Sequence, residues 1–127
     1  MRVKISPNPE KEGFFTIIPY GPIDSETYQD FQKNVDPLLV KTTKGILANL
    51  AGVDYISSAG LGVLFNIRKY LKGNGGELYF CNLQPQIKKL FEVVKALPPQ
   101  TLFNSIQEAD RYFYKVMNEE IEKEKKK

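Results

Sequence analysis

Residues 45–71 have the sequence GILANLAGVDYISSAGLGVLFNIRKYL, in which a candidate buried strand is followed by two serines and a candidate helix. Its first part, Gly45–Leu50, is a short and nearly continuous apolar run, which predicts a strand covered on both faces. After the two serines, apolar residues recur at helical spacing: Leu61, Leu64, Phe65 and Leu71, with Ile67 beside them. This spacing predicts an amphipathic helix. A buried strand followed by such a helix is typical of an α/β fold, and we expect the strand to be the central one.

On the N-terminal side of this stretch, the sequence predicts a β-hairpin. Val3–Ser6 is a short candidate strand, the residues NPEKEG form a turn that ends at Gly13, and Phe14–Tyr20 is rich in strand-forming residues. Pro19 has no amide hydrogen to donate to a neighbouring strand. We therefore expect that part of the second strand to lie at a sheet edge or at the end of the strand.

A helix is predicted to follow the hairpin, with Asp24 or Ser25 as its N-terminal cap. The apolar residues of this helix that share helical spacing are Tyr28, Phe31, Val35, Leu38 and Leu39. Pro37 is an obstacle inside this pattern, because proline removes a helical hydrogen bond and clashes with the preceding turn. We therefore expect a kink or a restart of the helix near Val35.

On the C-terminal side, Glu77–Leu83 is predicted to be a strand, and a third helix is predicted to begin near Pro85. Its apolar residues at helical spacing are Ile87, Leu90, Phe91 and Val94. The sequence TLFN at residues 101–104 predicts a short last strand, and we expect Ser105 to cap a final helix. The apolar residues of that final helix are Ala109, Tyr112, Phe113, Val116 and Met117.

The alternation of strands and helices predicts an α/β fold with a mixed, mainly parallel sheet, since parallel neighbours need crossover connections. The N-terminal hairpin adds an antiparallel strand to this sheet, and about four helices flank it. We expect a single domain over residues 1–117 and a charged C-terminal tail over residues 118–127.

The composition excludes several classes of function. The chain of 127 residues has no histidine and one cysteine, so histidine-based catalysis, zinc sites and internal disulfides are not expected. The lone Cys81 is expected to be a small buried apolar residue. No G-x-x-x-x-G-K-[ST] loop is present to hold the phosphates of a nucleotide. We expect neither a metal nor a cofactor, and no enzymatic activity.

Charge and hydropathy indicate where the protein acts. The formal net charge is +3, but four lysines and two glutamates lie in the last six residues, so the rest of the chain is close to neutral. A basic stripe of the kind that binds nucleic acid is missing, and no nucleic-acid partner is expected. No stretch approaches the roughly 18 apolar residues that a membrane span requires. We expect a cytoplasmic protein without a membrane span.

The two serines at Ser57 and Ser58 admit two interpretations. In the first, one of them only caps the helix, because its side-chain oxygen accepts a hydrogen bond from an amide two or three residues later. In the second, a serine accepts a phosphate, which is stabilised at a helix N-terminus by unpaired amides and the helix dipole. On a surface otherwise made of Ile56, Ala59 and Leu61, a phosphate would disrupt a close apolar interface.

Three separate stretches of the chain resemble the STAS domain, specifically the bacterial anti-sigma factor antagonists. They are GPID at Gly21–Asp24, ILANL followed by VDYISSAGLGVL within Ile46–Leu64, and GGELYFCNLQPQIKKLF at Gly75–Phe91. The resemblance implies a mixed sheet flanked by helices. It also implies partner switching: the unphosphorylated antagonist binds an anti-sigma factor that is also a serine kinase, phosphorylation ends this binding, and a serine phosphatase restores it.

The resemblance also implies site residues. The usual motif is Asp-Ser-Ser/Thr-Gly-Leu-Gly, with the phosphoacceptor directly before the first glycine, and here Ala59 holds that position. We therefore expect Ser58, with Ser57 as second choice, to accept the phosphate. Asp24 matches a family residue that helps to bind the kinase, although it is also a candidate helix cap. The expected partner-binding residues are Asp24, Ile56, Ser57, Ser58, Ala59, Gly60, Leu61 and Gly62.

Ala59 keeps a second function open. A STAS domain that is not phosphorylated can serve as a scaffold or accessory domain, for example in a signalling assembly or a lipid-transport complex. Phosphorylation by the kinase with ATP distinguishes the two functions.

Overall fold

The computed structural model describes residues 1–94, 101–113 and 115. A five-stranded sheet has the order β1-β2-β3-β4-β5. Its strands are β1 (Arg2–Pro7), β2 (Phe14–Tyr20), β3 (Gly45–Asn49), β4 (Glu77–Cys81) and β5 (Leu102–Phe103). The pairing of β1 with β2 is antiparallel and the other pairings are parallel. The predicted mixed sheet, with an antiparallel first strand and a central β3, is confirmed.

Four α-helices accompany the sheet in the described part of the chain. They are α1 (Tyr28–Val35), α2 (Ser58–Gly73), α3 (Pro85–Val94) and α4, which includes residues 106–113. A short 3₁₀ helix, Asp36–Leu38, follows α1 directly. Pro37 lies within it, so the predicted restart near Val35 is confirmed. Val116, Met117 and the predicted tail at 118–127 lie outside the described residues.

The central strand β3 is buried at every position. Ile46 and Ala48 belong to a large apolar cluster that includes buried residues of α1, α2 and α3. Leu47 points to the opposite face, where it joins a smaller cluster with Phe113 of α4. Successive side chains of a strand point to opposite faces, so β3 contributes to both cores.

The N-terminal hairpin lies at one edge of the sheet. Between its strands, the side-chain Oδ1 of Asn8 accepts hydrogen bonds from the amides of Glu10 and Lys11, at 2.9 and 3.2 Å. Gly13 has a φ of +82°, a backbone conformation that glycine adopts readily. Pro19 pairs with Val3 but lies beyond the part of β2 that pairs with β3, which agrees with its predicted place near a strand end.

Helix α1 begins later than predicted. The carboxylate of Asp24 accepts hydrogen bonds from the amides of Glu26 and Thr27 at 2.9 and 3.1 Å, and Thr27 Oγ1 accepts one from the Asp24 amide at 2.9 Å. These reciprocal bonds close a turn over residues 24–27, and the helix starts only at Tyr28. The predicted N-terminal cap at Asp24 or Ser25 therefore lies two or three residues before the observed N-cap, Thr27, although Asp24 does cap the turn that leads into the helix.

The buried face of α2 is rotated relative to the prediction. The residues buried along it are Gly60, Val63, Leu64, Ile67 and Leu71. Leu61 and Phe65, which were expected on this face, are only partly buried at its margin. In α3, Ile87 and Phe91 are buried as predicted, but Val94 is 37% exposed.

Strand β4 ends at Cys81, two residues before the predicted end. Asn82 has a φ of +57°, which turns the chain out of the sheet. Cys81 itself is fully buried, as predicted. At the start of α4, Ser105 Oγ accepts a hydrogen bond from the Glu108 amide at 3.1 Å, so the predicted cap is confirmed.

Candidate functional site

The loop between β3 and α2 lies at the carboxyl edge of the parallel strands, where ligands and partners commonly bind α/β proteins. Leu50 and Val53 of this loop are fully buried. The Leu50 amide donates to the Cys81 carbonyl at 3.1 Å, and the Val53 amide donates to the Leu50 carbonyl at 3.0 Å. The base of the loop is therefore fixed to the sheet.

A short parallel bridge between Ile23 and Ile56 holds the second half of the loop. The Ile23 amide donates to the Tyr55 carbonyl at 3.0 Å, and the Ser57 amide donates to the Ile23 carbonyl at 2.9 Å. The side chain of Ile56 is only 5% exposed. The expectation that Ile56 forms part of the exposed surface is therefore wrong, because its side chain packs in the core beside Ile23.

Ser57 is the N-cap of α2. Its backbone is extended, with φ −81° and ψ 173°, and its Oγ accepts a hydrogen bond from the Gly60 amide at 3.2 Å. Its carbonyl accepts the hydrogen bond of the Leu61 amide at 2.9 Å. The capping interpretation is thus confirmed for Ser57, and its hydroxyl oxygen already has a structural role.

Ser58 is the first residue of α2 and its side chain is exposed. Its hydroxyl makes no hydrogen bond with any of the residues that the structure describes. The first turn of α2 contains no acidic residue, so the partial positive charge of the helix N-terminus is not neutralised there by the helix itself. An anion attached to Ser58 would lie in a favourable field.

The two glycines of the motif differ in environment. Gly60 is buried, and a β-carbon added there would lie 2.4 Å from the carbonyl oxygen of Ile23. This close packing requires glycine. Around Gly62, by contrast, an added β-carbon would meet no atom within 4 Å. Gly62 and the partly buried Ala59 and Leu61 lie on the outer face of the first helical turns. This face is therefore apolar, and few of its side chains project far from the helix.

Asp24 lies beside Ser57, because the parallel bridge pairs their preceding residues, Ile23 and Ile56. Asp24 is partly buried and its carboxylate caps the turn before α1. The structure therefore brings Asp24 together with the serines, as predicted from the motif. The predicted site residues divide into an exposed or partly exposed group and two buried supports, Ile56 and Gly60.

Two glutamines at the start of α3 were not predicted as part of the site. Gln84 Nε2 donates to the Ala51 carbonyl at 2.9 Å, and Gln86 Nε2 donates to the Asp54 carbonyl at 3.0 Å. Gln86 also donates to the Gln84 side-chain oxygen at 3.0 Å. These contacts join α3 to the β3–α2 loop across more than 30 residues of sequence, which no local pattern reveals.

Tyr55 was also missed. Its side chain is 56% exposed, although its neighbour Ile56 is buried and its own carbonyl accepts the hydrogen bond from Ile23. The signal in the sequence is an aromatic residue directly before the motif, since aromatic residues are enriched at protein interfaces; its exposure is visible only in the structure.

Chemistry elsewhere in the described residues is limited. Burial, and secondarily the charge of Asp110, raises the pKa of the Cys81 thiol to about 12, so the thiol stays protonated at neutral pH. No group of three or more residues there could hold a metal ion. Among the helices that the structure describes, none is both long enough and apolar enough to span a membrane.

Comparison with known proteins agrees with this geometry. The sequence pattern of the STAS domain family matches residues 7–109. The chain is 30% identical over 83 residues to the anti-sigma-B factor antagonist of Staphylococcus aureus, and the match covers 65% of this chain and 77% of that protein.

Solved structures share the fold. A Thermotoga maritima protein, named as a candidate anti-sigma factor antagonist, superposes with a TM-score of 0.77 at 21% identity, covering 86% of this chain and 92% of its own. The Bacillus cell fate determinant SpoIIAA in its phosphorylated form superposes with a TM-score of 0.66 at 18% identity, covering 86% of this chain and 99% of its own.

Proposed function

The chain belongs to the STAS domain family, and on this premise we propose that it is an anti-sigma factor antagonist. In this role it binds an anti-sigma factor and thereby regulates transcription, acting in the cytoplasm as a binding protein and not as an enzyme. The observation that carries the proposal is the exposed Ser58 at the first turn of α2, in a chain that matches an anti-sigma-B factor antagonist.

The docking surface of this proposal consists of the accessible residues around the start of α2. They are Asp24, Ser57, Ser58, Ala59, Leu61 and Gly62. Ile56 and Gly60 support this surface from below, because both are buried and pack against Ile23. A partner surface can approach closely here, since Ala59 and Gly62 have little or no side chain.

We further propose that the bound anti-sigma factor is a serine kinase and that Ser58 is the residue it phosphorylates. The side chain of Ser57 already serves as the N-cap, whereas the exposed Ser58 hydroxyl makes no hydrogen bond to the described residues. A phosphate on Ser58 would be stabilised by the helix N-terminus within the folded chain. In the complex it would be desolvated against Ala59 and Leu61, which weakens binding.

A phosphoserine on an exposed first turn also remains accessible to a serine phosphatase, which would return the antagonist to its binding form. SpoIIAA, whose fold this chain shares, has been solved in a phosphorylated form, which supports the proposal that a chain of this fold can carry a phosphate.

The identity of residue 59 favours one second candidate. Ala59 stands where the family motif carries its phosphoacceptor, and the Ala59 side chain cannot be phosphorylated. On this alternative the chain binds its partner permanently, as a scaffold or accessory domain of a signalling or lipid-transport complex.

The test uses each kinase-type anti-sigma factor encoded in the same genome, purified and incubated with this chain and ATP. We expect one kinase to bind the chain and to add one phosphate, detected by intact-mass spectrometry, and Ser58→Ala to abolish this addition. Ser57→Ala should still accept the phosphate. Ser58→Asp should bind the same kinase more weakly than wild type. Binding without any added phosphate would favour the scaffold function. If none of the kinases bound the chain, the proposal would be contradicted.

A further inference from the structure

Tyr55 presents an aromatic ring on a fixed piece of backbone. Its side chain is 56% exposed, while the residues on either side of the Asp54–Tyr55 pair, Val53 and Ile56, are buried. The carbonyls of both exposed residues are held: Tyr55 accepts from the Ile23 amide at 3.0 Å, and Asp54 accepts from Gln86 Nε2 at 3.0 Å. A tyrosine ring held on fixed backbone offers apolar area that a partner can bury, while its hydroxyl stays able to form a hydrogen bond.

The chain segments on both sides of the Ile23–Ile56 bridge are acidic, whereas α3, which contacts Asp54 through Gln86, carries the exposed Lys88 and Lys89. Residues 20–32 and 45–67 contain Asp24, Glu26, Asp30 and Asp54 but no lysine or arginine, in a chain that has 18 basic residues. Asp30 is paired with the N-terminal ammonium of Met1. Glu26 and Asp54 are exposed and form no ion pair among the described residues. The segments that carry the exposed tyrosine therefore hold two carboxylates that have no ion pair within the described part of the chain, in a protein of net charge +3.

We propose that Tyr55 is the aromatic anchor of the partner-binding surface and that Asp54 and Glu26 form its acidic rim. The occupant is the anti-sigma factor, through a face that has an apolar pocket bordered by arginine or lysine side chains. This inference rests on the proposed function and adds to it the chemistry by which the partner is recognised. The argument for a basic partner is charge complementarity, because the exposed carboxylates of Asp54 and Glu26 form no ion pair among the described residues.

The anchor and the rim contribute differently to binding. Tyrosine is among the residues that dominate interface energetics, and a ring whose backbone is already fixed loses little conformational freedom when it is covered. Rim carboxylates are solvated and act mainly on the rate of association, through long-range attraction that salt screens. Removal of the ring should therefore speed dissociation, and removal of the charges should slow association.

The acidic rim also constrains how a phosphate on Ser58 could act. Towards a basic partner, added negative charge at long range is attractive. The phosphate must therefore weaken binding through its size and its desolvation at the apolar centre formed by Ala59, Leu61 and Gly62.

The test measures binding kinetics by surface plasmon resonance with a kinase-type anti-sigma factor that binds the wild-type chain. We expect Tyr55→Ala to raise Kd by about 30-fold or more, mainly through faster dissociation. Tyr55→Phe, which keeps the ring, should stay within about threefold of wild type. The matched control is Val93→Ala, which truncates a residue 71% exposed on α3; its Kd should not change.

The charge arm uses the double variant Asp54→Asn with Glu26→Gln. We expect it to lower the association rate by about tenfold at low salt and to flatten the salt dependence of that rate. The control is Glu12→Gln, since Glu12 is an exposed acid in the hairpin at the opposite end of the sheet. This variant should leave the association rate and its salt dependence unchanged.

Three outcomes decide the inference. The kinetics described above support it. A wild-type affinity for Tyr55→Ala, with an unchanged salt dependence for the double variant, overturns this inference and leaves the proposed function intact. If the wild-type chain binds none of the anti-sigma factors of its genome, the proposed function and the inference are overturned together.

Discussion

At the scale of single residues, Gly60 and Gly62 have opposite relations to the fold. A β-carbon at Gly60 would lie 2.4 Å from the Ile23 carbonyl oxygen, so Gly60→Ala must displace backbone and should cost about 1–3 kcal/mol of unfolding free energy. Gly62→Ala meets open space inside a helix and should stabilise the fold by about 0.5–1 kcal/mol. Urea denaturation of both variants checks this. Equal effects of the two substitutions would contradict the packing at Gly60.

The serine pair supports a second comparison. Ser57→Ala removes the oxygen that accepts the Gly60 amide and should lower the unfolding free energy by about 1 kcal/mol. Ser58→Ala changes an exposed side chain and should stay within about 0.5 kcal/mol of wild type. Thermal unfolding of the two variants side by side measures the difference. If Ser58→Ala were the more destabilising, the assignment of the cap would be wrong.

Cys81 gives a prediction about pH. Burial raises the pKa of its thiol to about 12 in the folded protein, above its ordinary value of 9.0. The unfolded thiol therefore ionises first as pH rises. Its contribution to stability is complete below about pH 8 and is lost progressively between about pH 9 and pH 12. Tyr79, whose pKa burial also raises to about 12, adds to the same loss above its ordinary value of 10.0.

The comparison of wild type with Cys81→Ala isolates the thiol. Between pH 8 and pH 11 the unfolding free energy of wild type should fall more steeply than that of the variant, since only wild type has the thiol. Parallel pH profiles would show that the thiol ionises equally in the folded and unfolded states.

At the scale of secondary-structure elements, α3 fixes the β3–α2 loop through Gln84 and Gln86. Replacing both with alanine removes two side-chain hydrogen bonds to loop carbonyls. We expect faster hydrogen exchange of the Val53 and Ser57 amides and a loss of global stability below about 2 kcal/mol. Gln29→Ala on α1 serves as the control. Unchanged exchange in the double variant would mean that the Ile23–Ile56 bridge alone holds the loop.

Local sequence patterns predict some properties of the strands and helices and not others. The bounds of β2 and the burial of β3 follow from strand-forming composition and from a continuous apolar run, which are local properties. The buried face of α2 does not follow from a local pattern. Leu61 and Phe65 share the helical period of the core residues, and only packing against the sheet determines which side of the helix is buried. Ile56 was misplaced for a similar reason, since apolar character alone does not distinguish a core residue from a docking residue.

The geometry of the candidate site was predicted in part. Ser57, Ser58 and Asp24 carry recognisable motif and capping patterns, and the structure brings them together. Gln84 and Gln86 contact the loop over sequence separations of 33 and 32 residues, so no pattern in either segment indicates the contact. The exposure of Tyr55 depends on the bridge between Ile23 and Ile56, which is also a long-range feature.

At the scale of the whole molecule, the sheet separates two apolar clusters, one beneath α1, α2 and α3 and one beneath α4. The STAS pattern ends at residue 109, and we propose that residues 118–127 lie outside the folding unit. Deletion of residues 118–127 should leave the unfolding free energy within about 0.5 kcal/mol of wild type, with one cooperative transition in urea. A larger loss of stability would place part of this segment in the fold.

The hairpin that joins β1 to β2 lies at the amino end of β2, and β2 runs parallel to β3, whose carboxyl end leads into the serine loop. The hairpin tip and the serine loop therefore lie at opposite ends of the sheet. Because Cys81 is buried and protonated, a Glu10→Cys variant would have one maleimide-reactive thiol, at the hairpin tip. A fluorophore attached there would follow rotational diffusion of the whole molecule while the surface around Ser58 remains unobstructed.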